Sequence, residues 1–86
     1  MPTIASFRGI VIRMYYDDHS PPHFHALYQG REAKVRLEPP GVVEGELHPR
    51  IAQRVLAWAE AHRSHLQENW ARAQRHERLV EIPLAE

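Results

Sequence analysis

His23-Phe24-His25-Ala26-Leu27-Tyr28-Gln29-Gly30-Arg31-Glu32-Ala33-Lys34-Val35-Arg36-Leu37-Glu38 is the run that decides the fold. Phe24, Ala26 and Tyr28 alternate with His23, His25 and Leu27, and after Gln29-Gly30 the residues Ala33, Val35 and Leu37 alternate with Lys34 and Arg36. A period of two marks a strand with one buried face, and a turn pair between two such runs marks a hairpin. With the turn at Gln29-Gly30, Phe24 lies opposite Val35, His25 opposite Lys34 and His23 opposite Arg36, at about 4.5 to 5.5 Å across the strands. One face is therefore apolar, and the other sets imidazoles beside cations.

Toward the N-terminus, Thr3 to Phe7 and Ile10 to Tyr16 are rich in β-branched and aromatic residues and flank Arg8-Gly9, which predicts a second tight hairpin. Its core face is expected to carry Phe7 opposite Ile10, Ala5 opposite Ile12 and Thr3 opposite Met14, with Ile4, Ser6, Val11, Arg13 and Tyr15 turned away. Asp17 to Pro22 reads as a loop, because consecutive prolines donate no ladder hydrogen bonds. Toward the C-terminus, Pro39-Pro40-Gly41 breaks the strand, and Val42 to Leu47 is either a fifth strand or a loop.

Ile51, Val55, Ala59 or Trp58, His62, Leu66, Trp70 and Ala73 recur every three or four residues, predicting one amphipathic helix from about Pro49 to His76, with Pro49 near its first turn. Ser64 with Gln67 three positions on offers an alternative, a second helix capped there with a kink near Arg63. Leu79 to Ile82 is expected as a short edge strand closed by Pro83. The expected fold is α+β: one domain, residues 1–86, with an antiparallel sheet of four to five strands in consecutive hairpins. One long C-terminal helix, kinked in the alternative, packs on one face through Ile51, Val55, Trp58, Leu66 and Trp70. Ile10, Ile12, Met14, Phe24, Val35 and Leu37 complete the expected core.

Composition removes several classes of function. A hydrophobic fraction of 43% with 26% charged residues is that of a globular chain rather than a disordered one. At 86 residues only about 60 to 65% of the unfolded surface is buried on folding, so a homodimer or a partner would add stability. Eleven Lys and Arg balance eleven Asp and Glu, so the molecule as a whole does not attract nucleic acid, and any anion binding must be local. The absence of Cys excludes disulfides, thiolate nucleophiles and cysteine zinc sites. No apolar run approaches the length of a membrane span, and the first residues lack the layout of a signal peptide; the expected location is the cytoplasm.

Seven histidines are the outlier, and three of them fall in Asp17-Asp18-His19-Ser20-Pro21-Pro22-His23-Phe24-His25. His23 and His25 share a strand face, with Cα atoms about 6.5 to 7 Å apart, near enough to grip one ion. His19, returning over the prolines, and an oxygen of Asp17 or Asp18 would complete a site of the kind that holds zinc or iron with a position open. The cross-strand cations argue the other way. Lys34 and Arg36 beside the imidazoles, joined by Arg13 and Tyr15, form a face suited to a phosphate, to RNA or DNA, or to a protein partner. A third arrangement is acid/base: a histidine oriented by Asp17 or Asp18, with Arg13, Lys34 or Arg36 stabilising an oxyanion. The plainest is a loop whose imidazoles bond the backbone.

Elsewhere, His62 and His65 lie one turn apart, and His62 falls on the apolar stripe as a core or boundary residue. His48 and His76 flank the helix, and Trp58 and Trp70 are expected to anchor it on the sheet.

Four blocks together resemble a widespread family of short, uncharacterised bacterial proteins: M-P-T-I-x-x-F-x-G-I-x-I-x-M-Y-Y at Met1 to Tyr16, D-H-x-P-P-H-F-H-A at Asp18 to Ala26, L-x-W-A-x-x-H-R at Leu56 to Arg63, and N-W at Asn69-Trp70. Members of that family look like toxin–antitoxin-associated proteins, often encoded beside a second small domain. The resemblance implies an interaction module with a protein partner encoded nearby, and assigns no activity. The leading expectation is thus a toxin–antitoxin-type module whose face of His23, His25, Lys34, Arg36, Arg13 and Tyr15 binds a partner, nucleic acid or a phosphate-bearing ligand. The alternative is a metal-dependent enzyme using His19, His23, His25 and Asp17 or Asp18.

Overall fold

The computed structural model describes residues 2–83. Five strands, β1 (Thr3–Phe7), β2 (Ile10–Arg13), β3 (His23–Tyr28), β4 (Arg31–Leu37) and β5 (Pro40–Gly45), form one antiparallel sheet in sequential order. Two helices follow, α1 (Pro49–Ala61) and α2 (Arg63–Gln74). The architecture is α+β, and no helix among the described residues is long and apolar enough to cross a membrane.

Both predicted hairpins form. Arg8 and Gly9 have φ of 52° and 78°, and Gln29 and Gly30 have 47° and 80°. Two consecutive left-handed residues match the right-handed twist of the flanking strands, which is why these turns close hairpins. The β3–β4 register is the predicted one: His23 opposite Arg36, Phe24 opposite Val35 and His25 opposite Lys34.

The first hairpin departs from expectation at Ile4. Thr3 pairs with Arg13 and Ala5 with Ile12, so Ile4 is an extra residue in a bulge, and Thr3 never reaches Met14. A bulge lets two adjacent side chains face the same way. Ile4 is accordingly buried beside Ala5 rather than turned outward, while Thr3 is exposed.

Val42 to Leu47 resolves as strand for most of its length, and the strand begins earlier, at Pro40. An edge position spares Pro40 the N–H it lacks. A shift between Lys34 and Val35 leaves Val43 as an extra residue, and Val42 and Val43 stay exposed.

The single long helix is replaced by two. His62, at φ −117° and ψ 29°, separates them, and neither Ser64 nor any other side chain caps α2. The His62 ring Nδ1 donates to the Trp58 carbonyl at 2.9 Å, satisfying an acceptor at the break while keeping His62 nearly buried, the boundary role expected of it. At the start of α1, His48 Nδ1 accepts from the Arg50 amide. At the end of α2, the amides of His76 and Glu77 bond the carbonyls of Ala73 and Arg72, a Schellman closure with His76 in the left-handed position usually given to glycine.

Ile51, Val55, Ala59 and Leu66 turn inward from the helices onto the core with Ile12, Met14, Phe24, Val35 and Leu37, and Ala73 is buried as well. Trp58 stacks on Phe7 and meets Phe24 edge-on, at 5.3 and 5.8 Å between centroids. Leu79 to Ile82 is not a strand. It docks by one ladder-like bond, from the Ile82 amide to the Ile4 carbonyl at 2.7 Å, with Ile82 buried. Asn69 holds this segment from α2: its amide donates to the Val80 carbonyl and accepts from the Val80 N–H, both at 2.8 Å.

Candidate metal centre

His23 and His25 point from the same face of β3, as alternation requires. The loop before β3 folds Asp18 back over them. Asp18 Oδ2 lies 2.8 Å from His23 Nε2 and 3.3 Å from His25 Nε2, and one ligating atom from each of the three residues falls within 4.8 Å of the others. The rings are 5.1 Å apart, with Tyr15 edge-on to His25 at 4.5 Å and Trp70 of α2 against His23 at 5.3 Å. His23 is 1% exposed and the Asp18 side chain 22%, so the cluster is walled on the His23 side and reachable from the Asp18 side.

The second nitrogen of each ring decides the chemistry. His23 Nδ1 lies 2.8 Å from the Pro21 carbonyl, and His25 Nδ1 lies 2.9 Å from Glu32 Oε2. A carbonyl or an ionised carboxylate only accepts, so both Nδ1 atoms carry protons. In a neutral ring Nε2 then carries a lone pair, and both lone pairs converge on a carboxylate oxygen that has only lone pairs of its own. Such a trio is repulsive until something positive enters it, either protons on the imidazoles or a cation shared among three donors.

Burial on its own would raise the Asp18 carboxyl. The His19 amide and, when the imidazoles are protonated, the hydrogen bond from His25 and the charge and hydrogen bond of His23 outweigh that and hold it below its ordinary value. Asp18 is therefore ionised and available as a ligand through the neutral range.

His19 does not reach the cluster. It is exposed, and its amide bonds Asp18 Oδ1 at 3.0 Å. Asp17 also turns away, its Oδ1 2.9 Å from His76 Nε2. Its φ of 59° is a left-handed conformation that Asp tolerates better than most residues. Asp17 shapes the loop, and Asp18 faces the histidines. Lys34 and Arg36 stand opposite the histidines in Cα register, and their side-chain contacts are with other groups: Lys34 Nζ is 3.8 Å from Glu44 Oε2, and Arg36 Nε donates to the Pro39 carbonyl.

Glu32 was not among the residues singled out from sequence. It pairs with Leu27, two residues from His25, so it is the diagonal neighbour of His25, a position that hairpin register defines. Gln74, whose amide donates to the Asp18 carbonyl at 3.3 Å, carried no signal, because 56 residues separate the two.

A family model described as "Domain of unknown function (DUF4160)" matches residues 9–71. No curated protein and no solved structure matches the chain.

Proposed function

The chain belongs to the DUF4160 family, and we propose that Asp18, His23 and His25 bind a divalent metal ion, zinc or iron, as a two-histidine, one-carboxylate centre with positions left open for an exchangeable ligand. The observation that carries this is the anchoring of both Nδ1 atoms, one on a backbone carbonyl and one on a carboxylate. Metal-ligating histidines usually donate their second N–H to such groups, which fixes the tautomer and aims Nε2 at the ion. Spacing supports the reading too. Ligands about 2.0 to 2.1 Å from zinc in tetrahedral geometry are roughly 3.3 Å from one another, close to the 2.8 and 3.3 Å that separate Asp18 Oδ2 from the two Nε2 atoms, and all three donors lie within 4.8 Å of one another. A metal bound by three protein ligands would act as a Lewis acid and lower the pKa of a bound water to about 7, the basis of hydrolytic chemistry at neutral pH.

The test is metal analysis of tag-free protein after exposure to zinc or ferrous iron and gel filtration. About one equivalent is expected in wild type, His19→Ala and Asp17→Asn, and far less in Asp18→Ala and His25→Ala, with circular dichroism confirming that each variant is folded. Equal uptake by all five proteins sinks the proposal.

A second reading, partner binding of the toxin–antitoxin type in the cytoplasm, is favoured by the exposed Val42 and Val43 on edge strand β5, an apolar pair open to another chain. Co-purification with the product of the adjacent gene, compared between wild type and Val43→Lys, tests it.

A further inference from the structure

The pairing of strands places Arg13, His25, Lys34 and Glu44 in one row across β2, β3, β4 and β5, all on the face that carries the candidate centre. Two cations thus flank the more accessible of the two histidines. Arg13 has no carboxylate partner among the described residues, and its Nε is shielded from solvent without a hydrogen bond. Lys34 meets Glu44 only at 3.8 Å.

Charge balance makes this row informative. Arg13, Lys34 and Arg36 offset Asp18, Glu32 and Glu44, so the face is neutral without an ion and doubly positive with a divalent metal on Asp18, His23 and His25. An unpaired guanidinium next to that excess is poorly satisfied unless the ligand filling the open metal position is itself an anion with several acceptor oxygens. A shallow depression of about 250 Å³, lined by His25, Glu32, Lys34, Glu44 and Gly45, adjoins the row and leaves room for a group attached to that anion.

We infer that the exchangeable ligand of this centre is a phosphate-type oxyanion, one oxygen on the metal and the others held by Arg13 and Lys34. The inference rests on the metal reading above, and it merges the two expectations raised by the histidine stretch: the cations do not displace the metal but hold what the metal binds. Arg13 and Lys34 are ligand-binding residues in this arrangement and contribute nothing to holding the ion.

The experiment uses cobalt(II), whose visible spectrum reports on its ligands, with inorganic phosphate as the probe. Wild type, Arg13→Gln, Lys34→Gln and, as a remote control, Arg54→Gln are loaded with cobalt and titrated with phosphate and, separately, with glycerol 2-phosphate. Expected are cobalt affinities within about threefold of each other, a spectral change on adding phosphate, and a phosphate Kd about tenfold or more weaker in Arg13→Gln and Lys34→Gln, the loss of one charge-assisted hydrogen bond each. Tighter binding of the ester than of phosphate marks a phosphomonoester as the natural ligand, the reverse order marks the free anion, and either supports the inference. Protein that takes up no cobalt overturns both readings. Protein that takes up cobalt but gives no spectral response, or the same phosphate Kd in all four proteins, overturns this one alone.

Discussion

Asn69 offers the sharpest test of how the C-terminal segment is held. Its side chain is 1% exposed and exchanges two 2.8 Å hydrogen bonds with the backbone of Val80, imitating one rung of a β-ladder from the surface of a helix. Asn69→Leu removes both bonds. Val80 is 47% exposed, so its backbone groups can turn to water, and the loss should be about 2 kcal/mol, near 1 kcal/mol per bond. Asn69→Asp keeps the shape and one bond but sets a buried carboxylate oxygen against the Val80 carbonyl, where the amide donated. One lost bond plus the desolvated, repelled charge comes to about 3 kcal/mol.

That figure has a ceiling, because the segment can instead peel away. Peeling forfeits the burial of Ile82 and its bond to Ile4, together about 4 kcal/mol at most. The Asp variant is also pH-dependent with a definite sign. Its folded-state pKa is raised by burial and by the carbonyl, so the penalty is present above that pKa and fades as pH falls toward the unfolded value of about 3.9, where a protonated acid donates as the amide does. Urea unfolding of wild type and both variants at pH 7 and at the lowest pH where all three fold, with hydrogen exchange at the Val80 and Ile82 amides, measures each quantity. An Asp variant within about 0.5 kcal/mol of wild type at pH 7, or unchanged protection of the Val80 amide, refutes the reasoning.

Gly45, at φ 76°, packs so closely on β4 that a Cβ would overlap the Glu32 carbonyl oxygen, whereas Gly30, at φ 80°, faces open space. Gly45→Ala should therefore destabilise by about 2 kcal/mol or more and Gly30→Ala by about 1 kcal/mol, a difference readable as separate melting temperatures. Phe24→Ala, at a site with 0% exposure between Trp58 and the sheet, should remove about 3 to 5 kcal/mol, and near-native stability would contradict the core described above. Glu32→Ala should weaken metal binding about tenfold by releasing the His25 Nδ1–H while leaving the fold intact, as measured by competition with a chelating dye. Asp18 has a depressed carboxyl pKa, so without metal its stabilising contribution is complete above about pH 4 and disappears as pH drops through the lower folded-state value. Asp18→Asn should accordingly flatten the acid limb of the stability curve, and an unchanged acid limb would mean that the carboxylate does not engage the imidazoles.

The parts of the fold legible in the chain were those governed by local period. Alternation in His23 to Leu37 set the β3–β4 register to the residue, because a slip by one would have put Lys34 and Arg36 into the core. What local period cannot show is a residue that breaks it. The bulge at Ile4 is met by the Ile82 amide, which reaches the Ile4 carbonyl from the far end of the chain, and at the His62 break a ring nitrogen joins the His62 amide on the Trp58 carbonyl. The apolar stripe runs through that break with its spacing nearly kept, which is why a single helix was expected over both.

The candidate centre divides the same way. That His23 and His25 share a face, and that cations stand opposite them, follows from strand geometry; which charges their rings touch does not. Cross-strand register fixes Cα positions, but an imidazole on a sheet face answers to whatever the preceding loop lays over it, and here that is Asp18. The loop reaches that position because Asp17 takes the left-handed turn and is tied to His76, while Gln74 holds the Asp18 carbonyl. Both anchors come from the end of α2, whose Trp70 also walls His23 and whose Asn69 grips the C-terminal segment. The Asn69-Trp70 pair therefore has a physical account: adjacent residues that face different neighbours, one closing the sheet edge and one backing the histidine. The helix is as much a part of the centre as the strand that carries the ligands, since its two ties help to hold the Asp18 loop above the imidazoles.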